Sequence, residues 1–145
     1  MVNEGNGRRW FAIAGILGAF GVAFGAFSAQ GLEAVLRSRG LGPNEIVRRV
    51  DHAETAVRYQ MIHALALFGI GLAERMKHAR WWTIAGIGFT LGILLFSGSL
   101  YAMALGAPRW FGMITPFGGA IWIVAWIGFA VQARLAYPRA PEGTR

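Results

Sequence analysis

Residues Trp81–Leu105 read WWTIAGIGFTLGILLFSGSLYAMAL, twenty-five residues without one charge. A helix rises about 1.5 Å per residue, so this stretch is longer than the roughly 30 Å hydrocarbon core of a bilayer. It reads as a membrane span. Its middle, Phe96-Ser97-Gly98-Ser99-Leu100-Tyr101, places hydroxyls at a depth where lipid offers no hydrogen bonds, so these residues are expected to face protein. The whole chain agrees with this solvent: 145 residues, 55% hydrophobic and 14% charged, are too apolar for a soluble domain with a polar exterior.

Three further spans follow from the same reasoning. Arg8-Arg9 precede a first apolar run over residues 10–29, too long for a cleaved signal core of ~7–15 residues. A second span over 55–73 is the least hydropathic, because it holds Arg58, Gln60 and His63. The third is 81–105. A fourth runs over 114–133, with Thr115 as N-cap and Pro116 as first helical residue, where a missing amide hydrogen costs nothing. Residues 1–9 and 134–145 read as tails around a single domain, 10–133. Between the first two spans, Gly40, Gly42 and Pro43 precede Ile46, Val50, Ala53 and Val57 at helical spacing, with Glu45–Arg49 and Glu54–Arg58 as i,i+4 pairs. The fold class is therefore all-α: an integral membrane bundle of four transmembrane helices, with an amphipathic interfacial helix running into the second span. Glu74, Arg75, Lys77, His78 and Arg80 read as a short charged loop.

The net charge of +7 lies beside the spans, not on a basic face interleaved with aromatics, so it points to membrane lipids and topology and excludes nucleic acid. Lys and Arg on alternate sides of four spans number eight against six, which puts both termini in the cytoplasm. There is no cysteine, so disulfides and thiolate chemistry are excluded. Trp10, Trp81, Trp82, Trp110 and Tyr137 stand near span ends, as interfacial belts do.

Helices in lipid associate where small residues let backbones approach. Gly18, Gly21 and Gly25 lie on one stripe of the first helix with Ala14 and Ser28, and Gly88 and Gly92 repeat the spacing on the third. These are the expected packing positions, toward other subunits or a second copy of the chain. Ile13, Leu17, Phe20, Phe24 and Phe27 form a bulky stripe, expected to meet lipid or fill the bundle.

Chemistry inside the membrane is sparsely provided for. His63 is the one histidine within a span, beside Tyr59 and Gln60, and suits a proton carrier or a hydrogen bond to a neighbouring helix. Haem ligation by two histidines would need a second copy. No Asp or Glu falls within a span, which argues against carboxylate-coupled transport. Ser97 and Tyr101, with Thr90 on the same face, suit interhelical hydrogen bonds. No cofactor, metal or catalytic set is expected.

Four motifs, read in order, carry a resemblance: Gly25-Ala26-Phe27-Ser28-Ala29-Gln30-Gly31-Leu32; Thr55-Ala56-Val57-Arg58-Tyr59-Gln60-Met61-Ile62-His63-Ala64-Leu65; Leu94-Leu95-Phe96-Ser97-Gly98-Ser99-Leu100-Tyr101; and Ile114-Thr115-Pro116-Phe117-Gly118-Gly119. The chain resembles the YgdD-like family of small four-helix inner-membrane proteins, whose shared domain is of unknown function. The resemblance implies the bacterial inner membrane and a multi-pass fold, and no activity. By similarity it singles out Gln30, Arg58, Tyr59, Gln60, His63, Ser97, Ser99, Tyr101, Thr115 and Pro116. Gln30 stands where the family commonly has histidine. The expected function is that of a non-enzymatic accessory subunit or lipid-interacting packing protein of a larger membrane assembly. The alternatives are an oligomeric pore or carrier with a polar path around His63, and a membrane enzyme acting on lipid or quinone.

Overall fold

The computed structural model describes residues 7–76 and 80–136, so the expected tails and the Lys77 and His78 part of the charged loop lie largely outside the described residues. The described chain is a four-helix arrangement in up-down order. Helix α1 runs Arg8–Ser38, α2 Pro43–Met76 and α3 Arg80–Leu105, and a 3-10 turn, Arg109–Met113, leads into α4, Thr115–Ala136. All four are long and apolar enough to cross a membrane.

The first helix does not stop at Ala29. It passes through a π-helical turn at Ser28–Leu32 and continues to Ser38. The reason is non-local: Leu32 and Leu36 are buried against Ile46, Ala53 and Ala104, an apolar cluster that only the folded chain assembles. At about 1.5 Å per residue, the 31 residues of α1 and the 34 of α2 reach about 46 Å and 51 Å, beyond the ~30 Å apolar core. The amphipathic segment is thus collinear with the second span, and its apolar face is covered by the end of α1. Glu45 accepts hydrogen bonds from Arg49, at 2.7 Å, and from Arg48. The expected Glu54–Arg58 pair does not form; Arg58 is exposed and makes no ion pair among the described residues.

Both turns at this end close in the same way. Gly40, at φ +76°, donates to Arg37 O while Leu41 donates to Leu36 O; Gly106, at φ +115°, donates to Met103 O while Ala107 donates to Ala102 O. Each glycine takes a left-handed conformation that satisfies two terminal carbonyls, and Pro43 and Pro108 then prevent continuation. Helix α4 begins at Thr115 itself: Ile114 O accepts the amides of Phe117 and Gly118, so the N-cap role falls one residue before the expected threonine.

Helices α2 and α3 form the centre and α1 and α4 flank them, since 39% and 44% of the apolar windows of α2 and α3 are buried against 17% for each of the others. Trp10, Leu67, Ile70, Trp82, Phe89, Ile93 and Trp122 make the main core. Trp10 and Trp82, expected in the interfacial belts, are buried in it; Trp81 and Trp110 are exposed. Outside stand Ile16, Leu65 and Val124, each 70% exposed, a surface suited to lipid.

Candidate functional site

The polar side chains within the bundle divide into ties, orphans and outward-facing groups. His63 is the best-held tie. Its Nδ1 lies 2.7 Å from Tyr59 O on its own helix, and Trp126 Nε1 of α4 donates to its Nε2 at 3.3 Å. An indole N–H only donates, so Nε2 accepts and the proton sits on Nδ1, giving one neutral tautomer. The ring stacks on Trp122 at 3.6 Å between centroids and 3° between planes. Trp122 in turn donates to Phe89 O of α3 at 3.1 Å, so one aromatic stack joins α2, α3 and α4.

Gln60, also buried, donates to Leu17 O at 2.7 Å and ties α2 to α1. Ser99 donates to Phe96 O and shares a 2.7 Å hydrogen bond with Thr115, tying α3 to α4. Thr90 donates to Gly86 O one turn back on its own helix, and the hydroxyls of Ser97 and Tyr101 are buried with no hydrogen-bond partner among the described residues, so these three do not make the expected interhelical bonds there. The Tyr101 ring instead packs on Phe24 at 4.4 Å and edge-on to Phe20 at 5.5 Å. Ser97 ends a π-helical turn, Ile93–Ser97.

Gln30, Arg58, Tyr59 and Pro116 are exposed, so the ten positions do not form one cluster. Tyr59 and Pro116 line an open groove of about 600 Å³ with His63, Phe96, Trp122 and Trp126; Ser97 and Thr115 do not line it. A second groove, about 370 Å³, opens between α3 and α4 beside Trp81, Gly88 and Val124.

The glycines explain how closely the helices approach. A Cβ at Gly21 would stand 2.7 Å from Met61 Sδ, at Gly25 3.2 Å from Val57, at Gly88 3.0 Å from Ala125 and at Gly92 2.2 Å from Trp122. Gly18 differs from the other stripe positions, with nothing within 4 Å. Gly86 and Gly118, unmarked by any repeat, are as tight: their added Cβ atoms would meet Trp10 at 2.6 Å and the Phe96 backbone at 2.5 Å.

One polar site escaped the sequence. Glu74 belongs to α2, not to a loop, and its side chain is fully buried. Its Oε1 accepts from Arg9 at 3.0 Å and from Thr83 at 2.9 Å, while Arg9 also donates to Thr83 at 2.7 Å. This junction ties α1, α2 and α3 at the end that carries the termini. The available signal was positional: Arg9 and Glu74 fall on the same side of the membrane once the spans are counted. Among the described residues no group of three His, Cys, Asp or Glu could hold a metal ion.

Four apolar helices, inward hydrogen bonds and a broad apolar exterior define a small multi-pass membrane protein. The chain belongs to the family described as "Protein of unknown function (DUF423)", whose model matches residues 24–119. It is 39% identical over 125 residues to the UPF0382 membrane protein YwdK of Bacillus subtilis, covering 85% of this chain and 94% of that one. It is 33% identical over 126 residues to the UPF0382 inner membrane protein YgdD of Escherichia coli, covering 87% and 89%. The UPF0382 membrane protein of Haemophilus influenzae is 33% identical over 123 residues, covering 85% and 91%. No solved structure matches.

Proposed function

We propose that this chain is a non-enzymatic packing protein of the bacterial inner membrane, with both termini in the cytoplasm. It works through its outer surface, as an accessory subunit of a larger membrane assembly or as an organiser of lipid. The observation that carries this reading is where the polar groups go: Gln60, His63, Ser99, Thr115 and Trp122 each close on another helix of the same chain or on a neighbour in the stack. Each of these groups already spends a donor or acceptor on the bundle, and the two ring nitrogens of His63 both have fixed partners, which weighs against a polar path for a passing solute. The same separation weighs against an enzyme acting on lipid or quinone, because His63 lines a groove that Ser97 and Thr115 do not.

The reading of an oligomeric pore or carrier draws on the buried hydroxyls of Ser97 and Tyr101. It requires a second copy, since four helices enclose little space.

Native mass spectrometry of the protein, extracted gently from its own membrane, tests the proposal. A stoichiometric protein partner or retained lipid is expected. A bare monomer with neither contradicts it.

A further inference from the structure

The end of the bundle opposite the termini carries a second polar feature, unrelated to the ties inside. A basin of about 300 Å³ opens between α2 and the 3-10 turn, lined by Glu45, Arg48, Arg49, His52 and Arg109. Its charges are unbalanced: three guanidinium groups face one carboxylate. Glu45 bridges two of them, accepting from Arg49 at 2.7 Å and from Arg48, and these hydrogen bonds hold its carboxyl below the ordinary range. Among the described residues Arg109 makes no ion pair or hydrogen bond, and His52 Nδ1 is buried without a partner.

The basin is built, not splayed. The Arg49 side chain is only 19% exposed. Its Nη1 would lie 2.9 Å from a Cβ at Gly106, so the glycine that ends α3 also makes the seat for this guanidinium. The neighbour of Arg109, Trp110, is 53% exposed on the same short turn, which sets the mouth at the interfacial depth where tryptophan collects. A volume of about 300 Å³ is roughly ten times a water molecule's ~30 Å³ share, room for a tetrahedral oxyanion and its attached groups.

We propose that this basin binds a phosphate group, from the phosphodiester of an anionic lipid headgroup or from free inorganic phosphate. Arg49, held by Glu45 and seated on Gly106, supplies the fixed donors. Arg48 and Arg109 close on the anion from α2 and from the turn, and His52 lines the basin beside them. Arginine suits this role because its planar donors match phosphate oxygens in pairs. The site is independent of whether a protein partner covers the outer surface.

The test uses the full chain in neutral detergent. Thermal midpoints are compared in inorganic phosphate and in chloride at equal ionic strength, and lipid retention is compared after exchange into phosphatidylcholine with or without phosphatidylglycerol. Preference for phosphate identifies a free anion, and preference for phosphatidylglycerol identifies a headgroup; either supports the site. Arg109→Gln should weaken the preferred anion about ten- to a hundredfold, the effect of one charge-assisted hydrogen bond. Arg48→Gln, on a separate element, is an independent variant should the first not fold. Arg37→Gln, which removes a charge outside the basin, should leave affinity unchanged. Equal binding of all anions, or undiminished binding in the folded Arg48→Gln and Arg109→Gln variants, overturns the proposal.

Discussion

Replacing Gly92 by alanine puts the packing account at risk in a single methyl group. The new Cβ would stand 2.2 Å from Cδ1 and Nε1 of Trp122, where ordinary contact begins at 3.4 Å, so the indole must retreat by about 1.2 Å. That ring cannot retreat freely, because it stacks on His63 at 3.6 Å and donates to Phe89 O at 3.1 Å. Overpacking costs about 1–3 kcal/mol, and a weakened indole–carbonyl bond about 0.5–1.5 kcal/mol. Gly98→Ala, six residues on in α3, is the matched control, since nothing lies within 4 Å of its added Cβ. Alanine's helix-propensity advantage of about 1 kcal/mol over glycine is common to both and cancels in the difference. Gly92→Ala should therefore be less stable than Gly98→Ala by about 1.5–4.5 kcal/mol. Reversible unfolding in mixed micelles, followed by far-UV circular dichroism across a detergent series, reads the difference. Equal stabilities, or Gly98→Ala as the weaker variant, would refute the reasoning.

At the terminal end, Arg9→Gln strips the Glu74 carboxylate of a charged partner. Arg9 is 54% exposed and Glu74 fully buried, so the loss in the same unfolding assay should fall between the ~0–1 kcal/mol of exposed pairs and the ~3–5 kcal/mol of buried ones. At the other end, Glu45 and His52 lie on the stretch of α2 that precedes span 55–73, and both have pKa values lowered in the folded chain. Hydrogen bonds from Arg49 and Arg48 are the cause for Glu45; burial, then the charge of Arg48, is the cause for His52. A lowered folded pKa gives stability that is present above the unfolded value and lost as pH falls through the folded one. Thermal midpoints should thus fall on acidification in two stages, His52 below 6.5 and Glu45 below 4.5, with the second stage absent from Glu45→Gln. The proposed orientation predicts that a cysteine at Gly42, in the exposed turn between α1 and α2, reacts with a membrane-impermeant maleimide added outside spheroplasts; protection from that side would reverse the topology.

The spans were legible because lipid acts on composition: the charge-free run at Trp81–Leu105 needs no partner to be recognised. The ends of the helices were less legible, since Leu32 and Leu36 are fixed by Ile46, Ala53 and Ala104 from other helices, while locally the apolar run ends at Ala29 before the polar Gln30. Glu74 was hidden by its company, as Arg75, Lys77 and His78 gave the segment the look of a loop and its partner Arg9 lies 65 residues away. Residue type marked Gln60, His63 and Ser99 as hydrogen-bonding groups in a place without water. Which atoms they meet, such as Leu17 O or Trp126 Nε1, depends on helix rotation, which periodicity leaves free. The small-residue stripe has the same limit: it places Gly18 beside Gly21, although only Gly21 faces a neighbour.

The absence of cysteine makes one experiment direct. Ser97 is 0% exposed, at the centre of α3, on the path a polar route would take. Ser97→Cys, as the chain's single thiol in sealed right-side-out membrane vesicles, is exposed to a water-soluble maleimide, with a separate variant carrying its one cysteine at Gly42 as the reactive reference and denatured protein as the full-labelling limit. A closed bundle predicts no reaction at residue 97 until the chain is unfolded. Labelling of the folded protein from water would show a hydrated interior and contradict the account.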